Sequence, residues 1–408
     1  MTTAGRALRQ APRASALPLV ERVAVGFLER ALECLEGGTL EVTLPDGSIR
    51  RFGSGAVVAM TVHSDAIFRR LALRGKVGFG ESYTAGDWDA PDLADMFELL
   101  LRNADATARR HGTARRILEA RPRPNRRNGL LSARRHISYH YDLGNDLFEL
   151  MLDETMTYSC AIFERADEPL ADAQLRKYRR ICEQLELGRN DRVLDIGCGL
   201  GGFALFAANE FGCSVTGLTI SHEQAVFARE RIAAAGLTRQ IEVVEEDYRL
   251  HRGSYTKVAS IEMLEAIGEK QFPNYFAAID RLLERGGLAC VQTILVPDDR
   301  YDRYRKAPDW IEQYIFPGAL IPSLGALAAA SKKASRLMLS EVHEIGPNYA
   351  ETLRRWRENV DAQIEQVRAL GYDEHFERTW HFYLSFCEAA FRTRALRDAQ
   401  IMLRRAFE

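Results

Sequence analysis

Short apolar runs alternate with helix-like stretches through the middle of the chain, between residues 136 and 300. Apolar runs bounded by turn residues predict buried strands, whereas apolar residues three and four positions apart predict amphipathic helices. This alternation favours a parallel sheet with helices on both faces. The strand candidates, in chain order, are RVLDIG, CSVTGLT, QIEVVEED, KVASIEM and GLACVQTIL.

The first segment, residues 1–118, has a different pattern that predicts a small α+β unit. A helix-like run from Leu19 to Leu35 precedes GTLEVTLPDGSIRRFG, which predicts two strands joined by a turn at Pro45-Asp46-Gly47. AVVAMTVHS then predicts a third strand, and DAIFRRLALRG predicts a helix that ends at Gly75. A last amphipathic helix follows ESYTAGDW. Since the segment has no catalytic cluster, we expect it to dock substrate or membrane.

The last segment, residues 301–408, has mostly helical patterns and is rich in arginine and aromatic residues. In an α/β fold such a tail usually covers the ligand site, so we expect a lid. The predicted organisation is an N-terminal α+β domain (1–118), a basic linker (119–135) and a catalytic α/β domain with a helical lid (136–408).

The net charge of −2 conceals a strongly basic stretch. Between Arg102 and Arg135 there are eleven arginines and only two acids, a balance of +9 that leaves −11 for the rest of the chain. Prolines, asparagines and a glycine in this stretch indicate a linker, and a solvated connector is one interpretation. The other is an anionic-membrane binding surface, at about 1 kcal/mol per basic residue. No motif supports nucleic-acid binding, and we expect none.

The composition is that of a folded globular protein, with 46% hydrophobic and 27% charged residues. No stretch approaches the roughly 18 uncharged apolar residues that a membrane span needs. The seven cysteines include no C-x-x-C pair, which argues against a zinc site or disulfide framework and favours a reducing compartment. We therefore expect a cytoplasmic protein, peripheral at the inner face of the membrane, that binds no metal.

The sequence VLDIGCGLGG, residues 193–202, predicts a buried strand that enters a glycine-rich turn and then a helix. Glycines such as Gly197 and Gly199 let a ligand approach the backbone, and the helix start offers N–H groups. Asp195 stands at the strand end as D-x-G-x-G. An acid there suits a cationic cofactor, which favours S-adenosylmethionine over a dinucleotide. A strand-end cap is the alternative role for Asp195.

The ends of the next two strands offer further cofactor contacts. In GLTISHEQ, Thr219 stands where class I methyltransferases often place an acid for the ribose, and Gln224 is our candidate ribose contact. In EEDYR, Asp247 is placed to accept a hydrogen bond from the adenine amino group, and Tyr248 follows it. Together, the order and spacing of these residues predict a class I methyltransferase with a Rossmann-like, doubly wound sheet.

At this point the sequence resembles the cyclopropane-fatty-acyl-phospholipid synthase family, which includes the mycolic acid cyclopropane synthases. ESYTAGDW resembles the N-terminal domain of the full-length synthases, and the resemblance extends nearly to the end of the chain. Besides the glycine-rich turn, it rests on HYDLGNDLFELMLDETMTYSCAIF, GLTISHEQ, EDYR, EMLEAIG, YIFPGALIPS, NYAETLRRW and WHFYLSFCEAAFRTR.

The resemblance implies transfer of a one-carbon unit from S-adenosylmethionine to the double bond of an unsaturated phospholipid acyl chain, by a homodimer. Attack of the alkene on the cofactor methyl leaves a carbocation. Loss of a proton from the new methyl closes a cyclopropane ring, and loss of another proton gives a methylated or methylene product. In the family a bound bicarbonate takes the proton, and the motifs place its ligands at Cys160, Glu265, Gln292 and Tyr314.

The resemblance assigns three further residues. Tyr158 and Ser159 are expected to touch the cofactor carboxylate. His140 is expected to clamp the segment that covers the cofactor or to transfer a proton. Cys160 has an alternative reading as a small buried hydrophobe, as free cysteine often is.

The sequence departs from the family pattern at two places. Ala266 follows Glu265 where many bacterial members have histidine, and Gln292 replaces the histidine that binds bicarbonate. Glutamine can donate a hydrogen bond to an anion but carries neither charge nor a transferable proton. Plant-type cyclopropane synthases look like this chain at both positions, so the departures are compatible with ring formation, which stays the predicted reaction. The alternatives are a fatty-acyl methyltransferase that gives methyl-branched lipid, and a non-catalytic lipid-binding homologue.

Overall fold

The computed structural model describes residues 35–110, 144–307 and 309–407, together with residues 26, 29, 32 and 33. Most of the predicted helix from Leu19 to Leu35 lies outside these residues. The predicted basic linker (119–135) and His140 also lie outside them, and their roles stay predictions. The chain divides into two compact units, one of Met1–Asp92 with Asn103–Ala120 and one of Leu93–Arg102 with Arg121–Glu408.

The first unit contains strands β1 (Gly38–Thr43), β2 (Ile49–Ser54), β3 (Val57–Val62) and β4 (Trp88–Asp89). They form a sheet in the order β2-β1-β3-β4, in which β1 and β2 make the predicted antiparallel hairpin. Helix α1 (Ala66–Thr84) is interrupted at Gly75, where φ is 54°. The sequence placed a helix end there, but the chain resumes its helix after this one glycine.

The second unit contains β5 (Arg192–Ile196), β6 (Ser214–Thr219), β7 (Ile241–Glu245), β8 (Tyr255–Ile261), β9 (Leu283–Leu295), β10 (Leu337–Glu344) and β11 (Arg397–Arg405). These seven strands form one sheet in the order β10-β11-β9-β8-β5-β6-β7. The five strands predicted from apolar runs are β5 to β9, and they pair in parallel. The predicted α/β class is therefore confirmed.

Helix α2 runs from Leu93 to Arg110. Among the described residues, eleven further α-helices come after it in the chain. They are α3 (Asn145–Met151), α4 (Leu170–Gln184), α5 (Gly202–Phe211), α6 (His222–Ala234), α7 (Phe272–Leu282), α8 (Asp298–Tyr304), α9 (Trp310–Tyr314), α10 (Leu324–Ala334), α11 (Pro347–Ala362), α12 (Ile364–Ala369) and α13 (Glu374–Arg392). Across the described ranges, no helix is long and apolar enough to cross a bilayer.

Alternate residues of β5 build the two cores on either face of the sheet. Leu194 and Ile196 pack in a cluster with Phe276 of α7, whereas Val193 packs in a second cluster with residues of α4 and α5. This arrangement follows from the two-residue period of a strand. It fixes the carboxyl end of β5, where the glycine-rich turn begins.

The C-terminal segment is not only helical, because β10 and β11 extend the sheet beyond β9 in antiparallel order. The sequence missed β11, RDAQIMLRR, because its apolar run is short and carries polar Asp398 and Gln400 among buried positions. The register pairs Gln400 with Gln292 and Asp398 with Ile294. β11 therefore places the buried polar side chains of Asp398 and Gln400 beside β9, the strand that contains Gln292.

Candidate active site

The glycine-rich turn joins β5 to α5 at the carboxyl end of the parallel strands. Gly197 and Gly199 have φ values of 83° and 51°, which favour glycine. A Cβ on Gly197 would lie 2.6 Å from Cγ of Met263, so packing also requires glycine there. A Cβ on Gly199 would meet no described atom within 4 Å. The backbone at Gly199 thus borders open space, as close approach of a cofactor requires.

Asp195, within β5, is 2% exposed, and its Oδ2 has no hydrogen-bond partner in the part of the chain that the structure describes. Burial raises the pKa of Asp195 to about 7, although the charge of Lys177 opposes the rise. A buried carboxylate without a partner is costly. The positively charged groups of S-adenosylmethionine would supply the missing partner, so the turn and Asp195 fit this cofactor.

The predicted ribose and adenine contacts lie at the ends of β6 and β7. Thr219 Oγ1 donates to Oε1 of Gln224 at 2.8 Å, which leaves the amide nitrogen of Gln224 as the donor for a ligand. Asp247 accepts from the backbone N–H of Arg249 at 3.0 Å and from its Nε at 2.8 Å. An adenine contact would have to share this carboxylate. Tyr248 is buried. All four assignments stay predictions.

Tyr158 and Ser159 lie in the segment between α3 and α4. The hydroxyls of Tyr158 and Tyr383 are 2.7 Å apart, and the Tyr158 ring centroid lies 5.0 Å from that of Trp356. Ser159 Oγ accepts a hydrogen bond from Nζ of Lys177 at 2.6 Å. Tyr158 therefore belongs to an aromatic cluster, while Ser159 contacts a buried cation.

Lys177 is a functional candidate that the sequence analysis missed. Its side chain is fully buried, and burial lowers its pKa to about 8 while the charge of Glu262 opposes the fall. It therefore stays protonated at neutral pH, beside the serine predicted to contact the cofactor carboxylate. Lys177 lies on the buried face of α4 together with Ala173 and Gln174. A lysine on the apolar stripe of an amphipathic helix was the available signal.

The carboxylate of Glu262, just after β8, accepts hydrogen bonds from three separate segments of the chain. Its Oε1 accepts from the backbone N–H of Cys160 and from Nε2 of Gln292, both at 2.8 Å. Its Oε2 accepts from the hydroxyl of Tyr349 at 2.5 Å. The residue is half-buried, so part of it remains accessible.

The backbone of Glu262 is strained. Its φ is 49°, a left-handed conformation that costs a residue with a Cβ about 1–2 kcal/mol. The N–H of Glu262 donates to the carbonyl of Gln292 at 2.8 Å, which holds the residue in this conformation. Strain of this kind persists where neighbouring contacts enforce it, and it concentrates at functional sites.

Asp398 and Gln400 extend the hydrogen-bond network behind Glu262. Gln292 also donates from Nε2 to Oδ2 of Asp398 at 3.3 Å, and its Oε1 accepts from Gln400 at 3.1 Å. Burial, and then the negative charge of Glu262, raise the pKa of Asp398 well above its usual range. Asp398 also shares a hydrogen bond with Glu262.

Glu265 is the second carboxyl group of the site, in the short 3-10 turn Leu264–Ala266. Its Oε1 accepts from Oγ1 of Thr293 at 2.7 Å and from the backbone N–H of Ile294 at 2.5 Å. Its Oε2 is buried and has no hydrogen-bond partner among the described residues. Burial, and then the charge of Glu262, raise the pKa of Glu265 to about 7. One oxygen is thus fixed while the other is available.

The side chains of Cys160 and Tyr314, which were predicted to bind bicarbonate, are not hydrogen-bonded to the carboxylate of Glu262. The Cys160 thiol is fully buried and donates to the carbonyl of Ala161 at 3.2 Å. Burial, and then the charge of Asp398, raise the pKa of Cys160 well above its usual range, so the group stays a thiol. Tyr314 is 37% exposed, and its ring lies tilted against that of Trp310, with 5.4 Å between the centroids. The tyrosine that contacts the carboxylate cluster is Tyr349, from the motif NYAETLRRW.

These residues do not fit a bound bicarbonate. The donors that would hold the anion are the N–H of Cys160, the amide of Gln292 and the hydroxyl of a tyrosine, and each already donates to Glu262. Glu265 and Asp398 add two further carboxyl groups to the same cluster. A second anion would therefore lack donors and be repelled by the carboxylate of Glu262.

The affinity for S-adenosylhomocysteine is expected to rise with pH between about 6 and 8. Asp195 must lose its proton to pair with the ligand's ammonium group, and each pH unit below its pKa of about 7 costs up to about tenfold in affinity. Isothermal titration calorimetry of the unchanged chain and of Asp195→Asn would measure this, because the variant should bind weakly without the slope. A flat profile in the unchanged chain would contradict the assignment.

Residues 130–401 match the family model described as mycolic acid cyclopropane synthetase. Tuberculostearic acid methyltransferase UfaA1 of Mycobacterium tuberculosis is 38% identical over 87% of this chain and 85% of its own length. The cyclopropane-fatty-acyl-phospholipid synthase of Escherichia coli K12 is 34% identical over 92% of this chain and 97% of its own.

A solved structure with the same fold is the cyclopropane synthase MmaA2 from Mycobacterium tuberculosis. The TM-score is 0.62 at 29% identity, over 67% of this chain and 98% of that one. The mycolic acid cyclopropane synthase CmaA1, solved in complex with SAH and CTAB, matches with the same values. Its complex with SAH agrees with the cofactor predicted from the glycine-rich turn.

Proposed function

Because the chain belongs to the mycolic acid cyclopropane synthetase family, we propose that it forms cyclopropane rings on unsaturated membrane-lipid acyl chains. It is an S-adenosylmethionine-dependent methyltransferase, and the cofactor supplies the electrophilic methyl group. The observation that carries the proposal is the cluster of Glu262, Glu265 and Asp398. Glu262 and Glu265 follow β8, the strand that pairs with β5 of the cofactor turn, and Asp398 lies on β11. A cation formed on an alkene must lose a proton, and the carboxyl groups of Glu262 and Glu265 in this cluster can accept one.

Different residues of the chain bind the cofactor, limit the access of water and stabilise the cation. Asp195, Gly199 and Gln224 bind the cofactor, and Lys177 with Ser159 neutralises the cofactor carboxylate. Burial of Glu265, Gln292 and Asp398 limits the access of water, which would otherwise capture the carbocation as an alcohol. The clustered rings of Tyr158 and Trp356 present π-faces that stabilise a passing cation.

A second candidate function is methyl transfer to the same kind of acyl chain, giving a methyl-branched lipid. The observation that favours it is the 38% identity to a protein described as a tuberculostearic acid methyltransferase. Both reactions share every step up to the carbocation. They differ only in which proton leaves and in whether a later reduction follows.

The proposal extends to the setting of the reaction. The substrate is a phospholipid in an anionic membrane surface, which the basic stretch from Arg102 to Arg135 attracts from the cytoplasmic side. The working form is a homodimer, as the family resemblance implies. Most of the basic stretch lies outside the described residues, so its sequence alone supports this part.

The proposal is tested by incubating the purified chain with S-adenosylmethionine and vesicles that contain a monounsaturated phosphatidylglycerol. Gas chromatography–mass spectrometry of the fatty acids should show a saturated cyclopropane acid that forms in step with S-adenosylhomocysteine. Vesicles of the fully saturated lipid are the matched control and should give neither product. Cofactor turnover without any carbon added to the acyl chain would contradict the proposal.

A further inference from the structure

We infer that Glu262 is the proton acceptor of the reaction, a built-in carboxylate that replaces an external anion. The inference rests on the proposed function for the identity of the proton that is removed. Its physical basis is independent of the product, because both the ring and the methyl-branched routes need a base beside the carbocation.

The contacts of Glu262 are the first support. Three donors that converge from different parts of the chain end on one carboxylate: the N–H of Cys160, the amide of Gln292 and the hydroxyl of Tyr349. A carboxylate and a bicarbonate present the same pair of oxygens to such donors. The side chain therefore stands where a diffusible base would otherwise have to bind.

The backbone and charges of the site are the second support. Glu262 keeps a φ of 49°, and both its N–H and its side chain contact Gln292, so its carboxylate is held at two points. Asp398 lies behind it as a hydrogen-bonded partner, and the buried charge of Lys177 acts on both groups. A half-buried carboxylate fixed in this way, with a strained backbone, is more than a structural cap.

The proton balance is complete without another reactant. The alkene electron pair forms a bond to the cofactor methyl carbon, and the carbon–sulfur bond breaks with its electrons moving to sulfur. Glu262 then takes a proton from the transferred methyl, and the electrons of that carbon–hydrogen bond close the ring on the cationic carbon. The accessible side of Glu262 returns the proton to water after the product leaves.

Two variants separate the charge of Glu262 from its shape. Glu262→Gln keeps the length of the side chain, and we expect release of S-adenosylhomocysteine to slow by about 100-fold or more. Glu262→Gly is expected to fold well, because glycine adopts a φ of 49° without strain. Both should bind S-adenosylhomocysteine within a few fold of the unchanged chain. Glu269→Gln, which removes a carboxylate paired with Arg305, is the matched control and should keep its rate.

The dependence of the rate on bicarbonate, and the binding of bicarbonate itself, decide whether Glu262 replaces an external anion. In buffer stripped of carbon dioxide the unchanged chain should keep its full rate, and added bicarbonate or formate should raise only the rate of Glu262→Gly. Carbon-13 NMR of labelled bicarbonate, which needs no turnover, should show binding to Glu262→Gly but not to the unchanged chain. The lipid product is analysed separately, so a methyl-branched product would refute ring formation without touching this result. A bicarbonate requirement or bicarbonate binding in the unchanged chain, or near-normal turnover of Glu262→Gln, would overturn the inference.

Discussion

Glu265→Ala is expected to lower turnover by about 10²–10⁴-fold while the affinity for S-adenosylhomocysteine stays within a few fold. Glu265 is buried beside Glu262, with Oε1 held by Thr293 and Ile294 and with no partner for Oε2 among the described residues. Its pKa of about 7 lets it gain or lose a proton near neutral pH. The measurement is the steady-state rate on unsaturated vesicles together with calorimetry of cofactor binding.

Glu265→Gln is the control for packing. Its amide oxygen can still accept from Thr293 and from the N–H of Ile294, but the group cannot ionise. We expect this variant to fold like the unchanged chain and to lose nearly as much turnover as Glu265→Ala. If both variants turned over within about threefold of the unchanged chain, Glu265 would be a structural residue only.

Gly199→Val should weaken binding of S-adenosylhomocysteine by about 100-fold or more, equal to about 2.8 kcal/mol. The new side chain would enter the open space beside Gly199 that the cofactor is predicted to use. The φ of 51° also strains a β-branched residue, so a control with equal strain is needed.

Gly236→Val provides that control. Gly236 has a φ of 71°, and a Cβ there would also meet no described atom within 4 Å, but it lies in the turn between α6 and β7. Both variants should lose similar thermal stability, and only Gly199→Val should lose binding. Equal affinity in the two variants would place the cofactor elsewhere.

The central sheet could be predicted because its strands bury both faces. Apolar runs such as those of β5 and β8 are typical of parallel strands that are covered by helices on both faces. β11 was missed because its buried positions include Asp398 and Gln400, which serve the site rather than the core. Its antiparallel place beside β9 depends on tertiary pairing that no local pattern records.

The backbone of the glycine-rich turn was predictable because its motif fixes local conformation, as the positive φ values of Gly197 and Gly199 show. The cofactor contacts of Asp195, Gly197 and Gly199 stay predictions. Carrying over the bicarbonate ligands was less successful, because a side chain's position depends on the whole fold. Tyr314 and Tyr349 both lie in family-like motifs, and only the structure shows which hydroxyl contacts Glu262. Glu262 was overlooked because an acid at a strand end is common, and its left-handed backbone is not visible in sequence.

The most direct test of the proposed reaction follows the hydrogens of the transferred carbon. Cells that express the chain are fed methionine with a trideuterated methyl group, and their fatty acids are analysed by mass spectrometry before and after ozone treatment. Ring closure predicts a product that retains two deuteriums, resists ozone and has the mass of a ring-containing acid, because the third deuterium leaves as the proton taken by the base. A saturated methyl branch has two more hydrogens than the ring product, so its mass identifies it whether it retains three deuteriums or two. Such a branch, or a two-deuterium product that ozone cleaves, would contradict cyclopropane formation.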